Sequence, residues 1–344
     1  MSYVAKQSAA IFGCAGLSLT AEEQYFFREV DPLGFILFAR NIKAANQVRL
    51  LVDALRDCTG REDALVLIDQ EGGRISRLPS PHWRSAPPAL NFGVLYQTDP
   101  EAACEAAWLN GRLLARDLSG VGINVDCVPV LDLLFPKAHG IIGDRSFGGN
   151  PETVAVLGRA TCEGLLAGNV LPVIKHVPGH GRATVDSHDE LPMVETPREE
   201  LEATDFHPFR ALAGMPLAMT AHVVYSAIDR KEPATTSSTI VDEIIRGYIG
   251  FDGLLLSDDL SMRALSGDIA TRTRAAMAAG CDVALHCNGE LREMTAVTEA
   301  CGTLSATAVD RLTRALARLG SVEPIEEADV QFEALMSGEA ANGG

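Results

Sequence analysis

The sequence lacks the features of membrane-spanning, secreted and nucleic-acid-binding proteins. No apolar run approaches the roughly 18 residues that a membrane-spanning helix needs. The 344 residues include 29 Lys and Arg against 46 Asp and Glu, a net charge of −17, and phosphate contacts require clustered cations. The eight cysteines form no CxxC pair, and residues 1–20 lack the long apolar stretch of a signal peptide. We therefore expect reduced cysteines, a cytoplasmic location, and no nucleic-acid or membrane partner.

The first apolar run is also not followed by a GxGxxG motif, which argues against a dinucleotide-binding sheet. What is present is an alternation of short apolar runs with longer amphipathic stretches. The predicted strands lie at 11–16, 34–38, 64–69, 123–130, 170–176, 216–222, 253–258 and 282–287. The predicted helices lie at 20–30, 43–58, 100–119, 151–167, 197–213, 238–249, 268–279 and 305–319.

Eight strand–helix repeats predict an α/β fold, a single-domain (β/α)8 TIM barrel, over residues 1–320. An acidic C-terminal tail, partly frayed, is expected over 321–344. A doubly wound open sheet is the alternative fold. In (β/α)8 barrels the catalytic side chains gather at the carboxyl ends of the strands. The predicted strand ends here carry Asp69, Asp126 to Asp132, Lys175, His176, His222 and Asp258, which indicates an enzyme.

The segment KHVPGHGRATVDSH, residues 175–188, follows one of these strands. Its prolines and glycines predict a loop. In an extended loop, side chains two residues apart lie on the same side, so Asp186 can orient the ring of His188. A histidine tuned near neutrality serves as a general acid and base. The alternative is a turn-stabilising aspartate beside a solvated histidine.

A second candidate is the pair Asp258 and Asp259 after the seventh run. A carboxylate at a barrel mouth serves as a nucleophile, a metal ligand or a hydrogen-bond acceptor for substrate. The alternative for Asp259 is a helix N-cap. Neighbouring residues point opposite ways, and periodicity leaves open which of the two faces the mouth.

Three further positions are candidates with structural alternatives. Asp69, followed by a glycine-rich turn and Arg77, lies where sugar hydroxyls can be bound, unless the charges of this turn are incidental. Arg145 in GDRSFG can present its fork to a polar substrate or brace the loop internally. His222 in AMTAH is either a site residue or a hydrogen-bonded histidine of the core.

The motifs DQEGGR, GDRSFG, KHVPGHG with DSH, AMTAH and SDDLSM occur in this order over about residues 11 to 290. Together they resemble the single-domain bacterial β-N-acetylhexosaminidases of glycoside hydrolase family 3. The resemblance implies a (β/α)8 barrel that removes non-reducing terminal N-acetylglucosamine (GlcNAc) with retention of configuration. The best-known members act on muropeptide fragments, such as GlcNAc-1,6-anhydroMurNAc, in cytoplasmic peptidoglycan recycling.

Carried over motif by motif, the resemblance implies Asp258 as the nucleophile and His188 as the acid/base, with Asp186 as its dyad partner. The implied substrate-binding residues are Asp69, Arg77, Arg145, Lys175 and His176, with His222 nearby. Two residues depart from the family pattern. Val177 replaces the more usual phenylalanine, and Arg182 stands where an acidic or small residue is common.

We expect a monomer with a small sugar substrate and without cofactor or metal. A β-N-acetylglucosaminide phosphorylase is an alternative, because a neutral histidine tolerates an approaching phosphate better than a carboxylate would. A metal-dependent barrel hydrolase is another, since His176, His180, His188 and His222 can converge with Asp258, although the first strand lacks an HxH pair. A non-catalytic sugar-binding barrel is the third alternative.

Overall fold

Eight parallel strands form a closed barrel in the computed structural model, which describes residues 7–136, 138–187, 190–322 and 324–338. The strands are β1 (Ser8–Phe12), β2 (Pro32–Leu37), β3 (Leu65–Ile68), β4 (Val125–Asp126), β5 (Leu171–Val177), β6 (Leu217–Thr220), β7 (Leu254–Leu256) and β8 (Ala284–His286). Each strand pairs with its neighbour in the chain, and β8 pairs with β1. A parallel bridge between Leu256 and Val283 joins β7 to the start of β8 and closes the ring. The predicted (β/α)8 barrel is confirmed.

The barrel strands are mostly apolar because helices cover their outer face and side chains fill the interior. Every residue of β2, β3 and β7 is buried. Strand β4 is much shorter than the apolar run 123–130 predicted. Pro129 has no N–H to donate to a ladder, and regular pairing stops before it.

The helices are α1 (Ala21–Val30), α2 (Ala45–Thr59), α3 (Ala89–Tyr96), α4 (Pro100–Ser119), α5 (Pro151–Ala167), α6 (Arg198–Ala203), α7 (His207–Ala211), a π-helix (Ile240–Tyr248), α8 (Ile269–Ala279), α9 (Leu291–Cys301), α10 (Ala306–Leu316) and α11 (Ala328–Ser337). The helix predicted over 197–213 divides into α6 and α7. Pro208 in the first turn of α7 has no N–H to donate to the carbonyl of Thr204, four residues earlier, which favours a break here. Helices α3, α9 and α11 were not predicted.

Helix α11 packs against α4 within the segment that the sequence assigns to an acidic tail. The ring of Phe332 lies 6.2 Å from that of Phe92, and the guanidinium of Arg84 lies 4.9 Å above it. Arg116 of α4 pairs with Asp329. Residues 328–337 are thus part of the folded structure, while the boundary at residue 320 and the frayed end stay predictions, and residues 339–344 lie outside the described residues.

Within the described part of the chain, no helix is long and apolar enough to span a bilayer.

Candidate active site

An open cavity lies at the carboxyl ends of the barrel strands. This is the mouth at which the sequence places its ionisable residues. The predicted site residues that line it are Asp69, Arg77, Arg145, Lys175, His176 and Asp258. The structure therefore brings together six candidates that lie on four separate parts of the chain.

The wall of the cavity contains a cluster of paired charges, which we call the ionic array. Its members are Asp69, Glu71, Arg77, Arg145 and Lys175. The Nζ atom of Lys175 lies 2.8 Å from Oδ1 of Asp69 and 2.7 Å from Oε1 of Glu71. Arg145 binds both oxygens of Glu71 through Nε and Nη2, at 2.7 and 2.8 Å. Arg77 completes the array, with Nη2 at 3.5 Å from Oδ2 of Asp69.

Burial and pairing act in opposite directions on these groups. Burial alone raises the pKa of Asp69 and of Glu71, but the ammonium of Lys175 outweighs it and holds both pKa values below the usual range. For Lys175, burial lowers the pKa, but the two carboxylates reverse the effect and raise it. At neutral pH the array therefore presents ionised carboxylates and a protonated lysine, which are strong acceptors and donors for a polar ligand.

Asp132 orients the next group, His176. Its Oδ2 lies 2.7 Å from Nδ1 of His176, and its Oδ1 accepts a hydrogen bond from the backbone N–H of His180 at 2.6 Å. Burial favours a raised pKa for Asp132, but the neighbouring His176 and the hydrogen bonds lower it. An ionised carboxylate only accepts, so Nδ1 of His176 carries a proton. The ring of His176 is thereby held in one orientation at the cavity wall.

The structure distinguishes the two neighbouring aspartates that the sequence left open. Both oxygens of Asp259 accept bonds from the turn that follows, from the backbone N–H of Ser261 at 3.0 Å and its hydroxyl at 2.7 Å. Asp259 also lines the cavity, but its carboxylate is bound to this turn. Asp258 lies at the end of β7, and its Oδ1 accepts the N–H of Asp259 at 2.8 Å.

The carboxyl of Asp258 is ionised at neutral pH. Burial raises its pKa, but His222 and then His176 outweigh burial and lower it. Its backbone N–H donates to the hydroxyl of Thr220, at 3.2 Å, which fixes the strand end. A carboxylate in this state at the cavity is chemically competent as a nucleophile.

His222 is fully buried and is not among the residues that line the cavity. Its Nδ1 pairs with the hydroxyl of Thr235 at 2.7 Å, and its Nε2 donates to the backbone carbonyl of Asp259 at 3.0 Å. Burial lowers its pKa. Both ring nitrogens are engaged with the protein, and a direct role of His222 in substrate binding stays a prediction.

The loop after β5 contributes His180 and Ser187 to the cavity. Nε2 of His180 lies 3.1 Å from the hydroxyl of Ser187, so the start and the end of the loop are joined. Burial, and then the nearby His176, lower the pKa of His180 to about 4, which makes this ring neutral at pH 7. Asp186 lies on this loop and is partly exposed. His188 lies outside the described residues, and the dyad of Asp186 with His188 stays a prediction.

Sequence reasoning missed Glu71 as a site residue, and it named the range Asp126 to Asp132 without singling out Asp132 as the partner of His176. Glu71 is two residues from Asp69, and alternate residues of an extended segment share a side. Asp132 follows the fourth apolar run, at a position where the fold places site residues. Both positions could be recognised from the sequence, but the sequence did not show that Glu71 pairs with Arg145 and Lys175 or that Asp132 pairs with His176.

Across residues 7–136, 138–187, 190–322 and 324–338, no group of three or more His, Cys, Asp and Glu side chains is arranged to hold a metal ion. The Nδ1 atom of His176 is hydrogen-bonded to Asp132, and the Nδ1 atom of His222 is hydrogen-bonded to Thr235. One nitrogen of each ring is therefore occupied by a protein partner.

The sequence of this barrel matches a known protein family. The family described as Glycosyl hydrolase family 3 N terminal domain matches residues 20–322. The chain therefore belongs to glycosyl hydrolase family 3.

Two curated relatives identify the branch of the family. A β-hexosaminidase of Alkalilimnicola ehrlichii is 40% identical over 282 residues, covering 81% of this chain and 80% of the relative. A β-hexosaminidase of Pseudomonas aeruginosa is 38% identical over 311 residues, covering 90% of each chain.

Solved structures agree. NagZ from Neisseria gonorrhoeae, in complex with N-trifluoroacetyl-D-glucosamine, superposes with a TM-score of 0.87 at 32% identity over 97% of this chain and 98% of that one. A family 3 β-N-acetylglucosaminidase from Paenibacillus sp. superposes with a TM-score of 0.85 at 29% identity over 97% of this chain and 68% of that one. The enzyme is a glycoside hydrolase of the NagZ-type β-N-acetylhexosaminidase group, which confirms the resemblance seen in the sequence.

Proposed function

We propose that this enzyme is a retaining exo-β-N-acetylglucosaminidase that removes terminal GlcNAc from muropeptide fragments such as GlcNAc-1,6-anhydroMurNAc during peptidoglycan recycling. The observation that carries the proposal is the ionised carboxylate of Asp258, which shares one cavity with the ionic array. A nucleophile and a set of hydroxyl-binding groups thus face the same space. The gonococcal NagZ structure holds an N-acylated glucosamine, which supports a 2-acylamido sugar as the ligand class.

The ionic array supports an exo mode of action. Lys175 and Glu71 are almost completely buried and still line the cavity, so they occupy its inner wall. A sugar that reaches them is the end unit of its chain, because their side chains block passage beyond. Carboxylates of the array accept hydrogen bonds from sugar hydroxyls, and Arg145 and Lys175 donate them.

The proposed reaction has two steps. Asp258 attacks the anomeric carbon as the bond from that carbon to the departing oxygen breaks, and His188 gives its proton to this oxygen. His188 then takes a proton from water, and the water oxygen displaces Asp258 from the anomeric carbon. Two inversions give net retention. Retaining glycosidases usually employ a second carboxyl group as the acid, and here the dyad of His188 with Asp186 takes that role.

We further propose that the enzyme works as a monomer in the cytoplasm. All eight cysteines are free, and burial raises the pKa of thiols such as Cys127 and Cys287 well above the usual range. Buried thiols of this kind are unreactive and suit a reducing compartment. Light scattering of the purified protein measures the oligomeric state.

The proposed activity is tested by comparing nitrophenyl N-acetyl-β-glucosaminide with nitrophenyl β-glucoside, and by release of GlcNAc from GlcNAc-1,6-anhydroMurNAc. We expect turnover of the first aryl glycoside and of the muropeptide fragment, with the β-anomer of GlcNAc formed first in proton NMR. Equal rates on the glucoside, or an α-anomer formed first, would contradict the proposal. A sugar 1-phosphate as product in phosphate buffer would instead indicate a phosphorylase.

A further inference from the structure

Arg182, one of the two residues that depart from the family pattern, connects the loop after β5 to α6 and to the segment between α6 and α7. Its Nε donates to Oδ2 of Asp205 at 2.7 Å. Its Nη2 lies 2.9 Å from Oε1 of Glu200 and donates to the hydroxyl of Thr204 at 3.2 Å. The guanidinium also lies 4.2 Å from the centre of the Phe135 ring. One side chain therefore contacts three residues of a neighbouring segment and the loop after β4.

Asp205 is the central partner in this contact. It is 2% exposed, and it also accepts a hydrogen bond from the hydroxyl of Thr204 at 2.8 Å. A buried carboxylate is unfavourable without a charged partner. Loss of Arg182 would leave Asp205 without the cation that its burial requires, so the two segments are energetically coupled through this pair.

Two glycines allow the backbone of this loop to pack closely against Asp205 and against Leu133. Gly179 has a φ of 143°, and a Cβ there would lie 3.1 Å from Cβ of Asp205. A Cβ on Gly181 would lie 2.2 Å from the backbone oxygen of Leu133. Both glycines permit close packing of the loop, which fixes this part of the backbone instead of freeing it.

Hydrogen bonds to backbone carbonyls hold the same stretch at both ends. The hydroxyl of Tyr225 donates to the carbonyl of Gly179 at 2.5 Å. The N–H of His139 donates to the carbonyl of Ala183 at 2.8 Å. Residues 179–183 thus form a fixed base of the loop, with Arg182 as its charged contact.

We propose that Arg182 is a positioning residue for catalysis, which binds the base of the loop to Asp205 so that the following residues enter the cavity at a set position. Arg182 is not among the cavity-lining residues, so it acts through the loop. His180 and Ser187, which do line the cavity, lie on either side of it in the chain. The inference rests on the proposed function, because the proposed acid/base, His188, directly follows Ser187.

Arginine suits this position better than lysine. The planar guanidinium reaches Asp205 and Thr204 through two different nitrogens while its face covers the Phe135 ring. An ammonium group would replace the charge but not the second donor in a fixed direction or the stacking. Arg182→Lys should therefore retain part of the effect, and Arg182→Ala should lose all of it.

The experiment compares Arg182→Ala, Arg182→Lys and Asp205→Asn with a control, Arg198→Ala. Arg198 lies on α6 and forms a more exposed ion pair with Glu202 at 2.7 Å. The kinetic parameters of each folded variant are measured on two kinds of N-acetyl-β-glucosaminide. One has a good leaving group, dinitrophenolate, and the other has a poor leaving group, the hydroxyl oxygen of a second sugar.

We expect Arg182→Ala to lower kcat/KM on the poor leaving group by about ten- to a hundredfold, because small displacements of a catalytic group carry losses of this order. The loss on dinitrophenolate should be much smaller, since this group leaves with little protonation. Arg182→Lys should fall between Arg182→Ala and the wild type, and the Arg198→Ala control should match the wild type.

A loss that is equal on both leaving groups, or no loss in folded protein, would overturn the inference. If Arg182→Ala does not fold, the inference is tested with Arg182→Lys and Asp205→Asn, by comparing the loss of kcat/KM on the poor leaving group with the loss on dinitrophenolate. If the wild type hydrolyses no N-acetylglucosaminide, the proposed function fails by itself. Amide hydrogen exchange at His180 and Ala183, faster in Arg182→Ala but not in Arg198→Ala, then still decides whether Arg182 holds the loop.

Discussion

Replacing Glu71 by glutamine removes the charge that joins the two halves of the ionic array. The carboxylate binds Lys175 at 2.7 Å and receives two parallel bonds from Arg145 at 2.7 and 2.8 Å. A glutamine of the same shape keeps one acceptor oxygen and presents an amide NH2 at the other position. That NH2 faces either the ammonium or the guanidinium, which are donors as well, so at least one bond becomes a repulsion.

The structure sets the size of the effect. The side chains of Glu71 and Lys175 are 6% and 2% exposed, so solvent screens their interaction little. Breaking a buried ion pair by removing one partner costs about 3–5 kcal/mol in the free energy of unfolding. The unfolding entropy near the midpoint is about 2.1 cal/mol/K per residue, or roughly 0.7 kcal/mol/K for a chain of this length. The expected fall in Tm is therefore about 4–7 °C.

Calorimetry or circular dichroism measures this Tm, and urea unfolding gives the free energy independently. The matched control is Glu105→Gln, which removes the same charge from an exposed position on α4 and should change stability by less than about 0.5 kcal/mol. We also expect Glu71→Gln to lower kcat/KM on nitrophenyl N-acetyl-β-glucosaminide. A variant that matches Glu105→Gln in Tm and the wild type in kcat/KM would refute the role of the ionic array in stability and binding.

Three further predictions concern catalysis and pH. Asp258→Ala should abolish turnover on every substrate, measured by product release, because no covalent intermediate can form; Asp252→Ala, at an exposed surface position, is its control. His188→Ala should slow substrates with poor leaving groups far more than nitrophenyl glycosides, and equal losses would contradict its role as the acid. The folded pKa of His180 is about 4 against 6.5 in the unfolded chain, so its contribution to stability is complete above pH 6.5 and lost as the pH falls toward 4. The two pKa values together correspond to about 3 kcal/mol in the free energy of unfolding. Urea unfolding measured across this pH range should show that this part of the pH dependence is absent in His180→Gln and still present in the control, His82→Gln.

Much of the fold followed from local patterns in the sequence. Strands buried on both faces produce unbroken apolar runs, and each of the eight runs overlaps a barrel strand. The predicted spans 100–119 and 151–167 coincide with α4 and α5, since an Asp or Asn cap followed by proline marks each start. Helices α3, α9 and α11 were missed. The break between α6 and α7 was missed as well, although Pro208 is a local signal for it.

The candidate site divides in the same way. The sequence identified Asp69, Lys175 and Asp258 as residues at strand ends, because a parallel barrel brings all its carboxyl ends to one mouth. It did not pair Glu71 with Arg145, which lie 74 residues apart and meet only through the order and register of the strands.

The sequence alone therefore determined the barrel, the family resemblance and the residue types at the mouth, since these depend on periodicity and on motif order. Only the tertiary structure decided which of two adjacent aspartates has both carboxylate oxygens bound by the following turn, and which residues Arg182 contacts. These outcomes depend on the directions of individual side chains, and contacts between segments far apart in the chain set those directions.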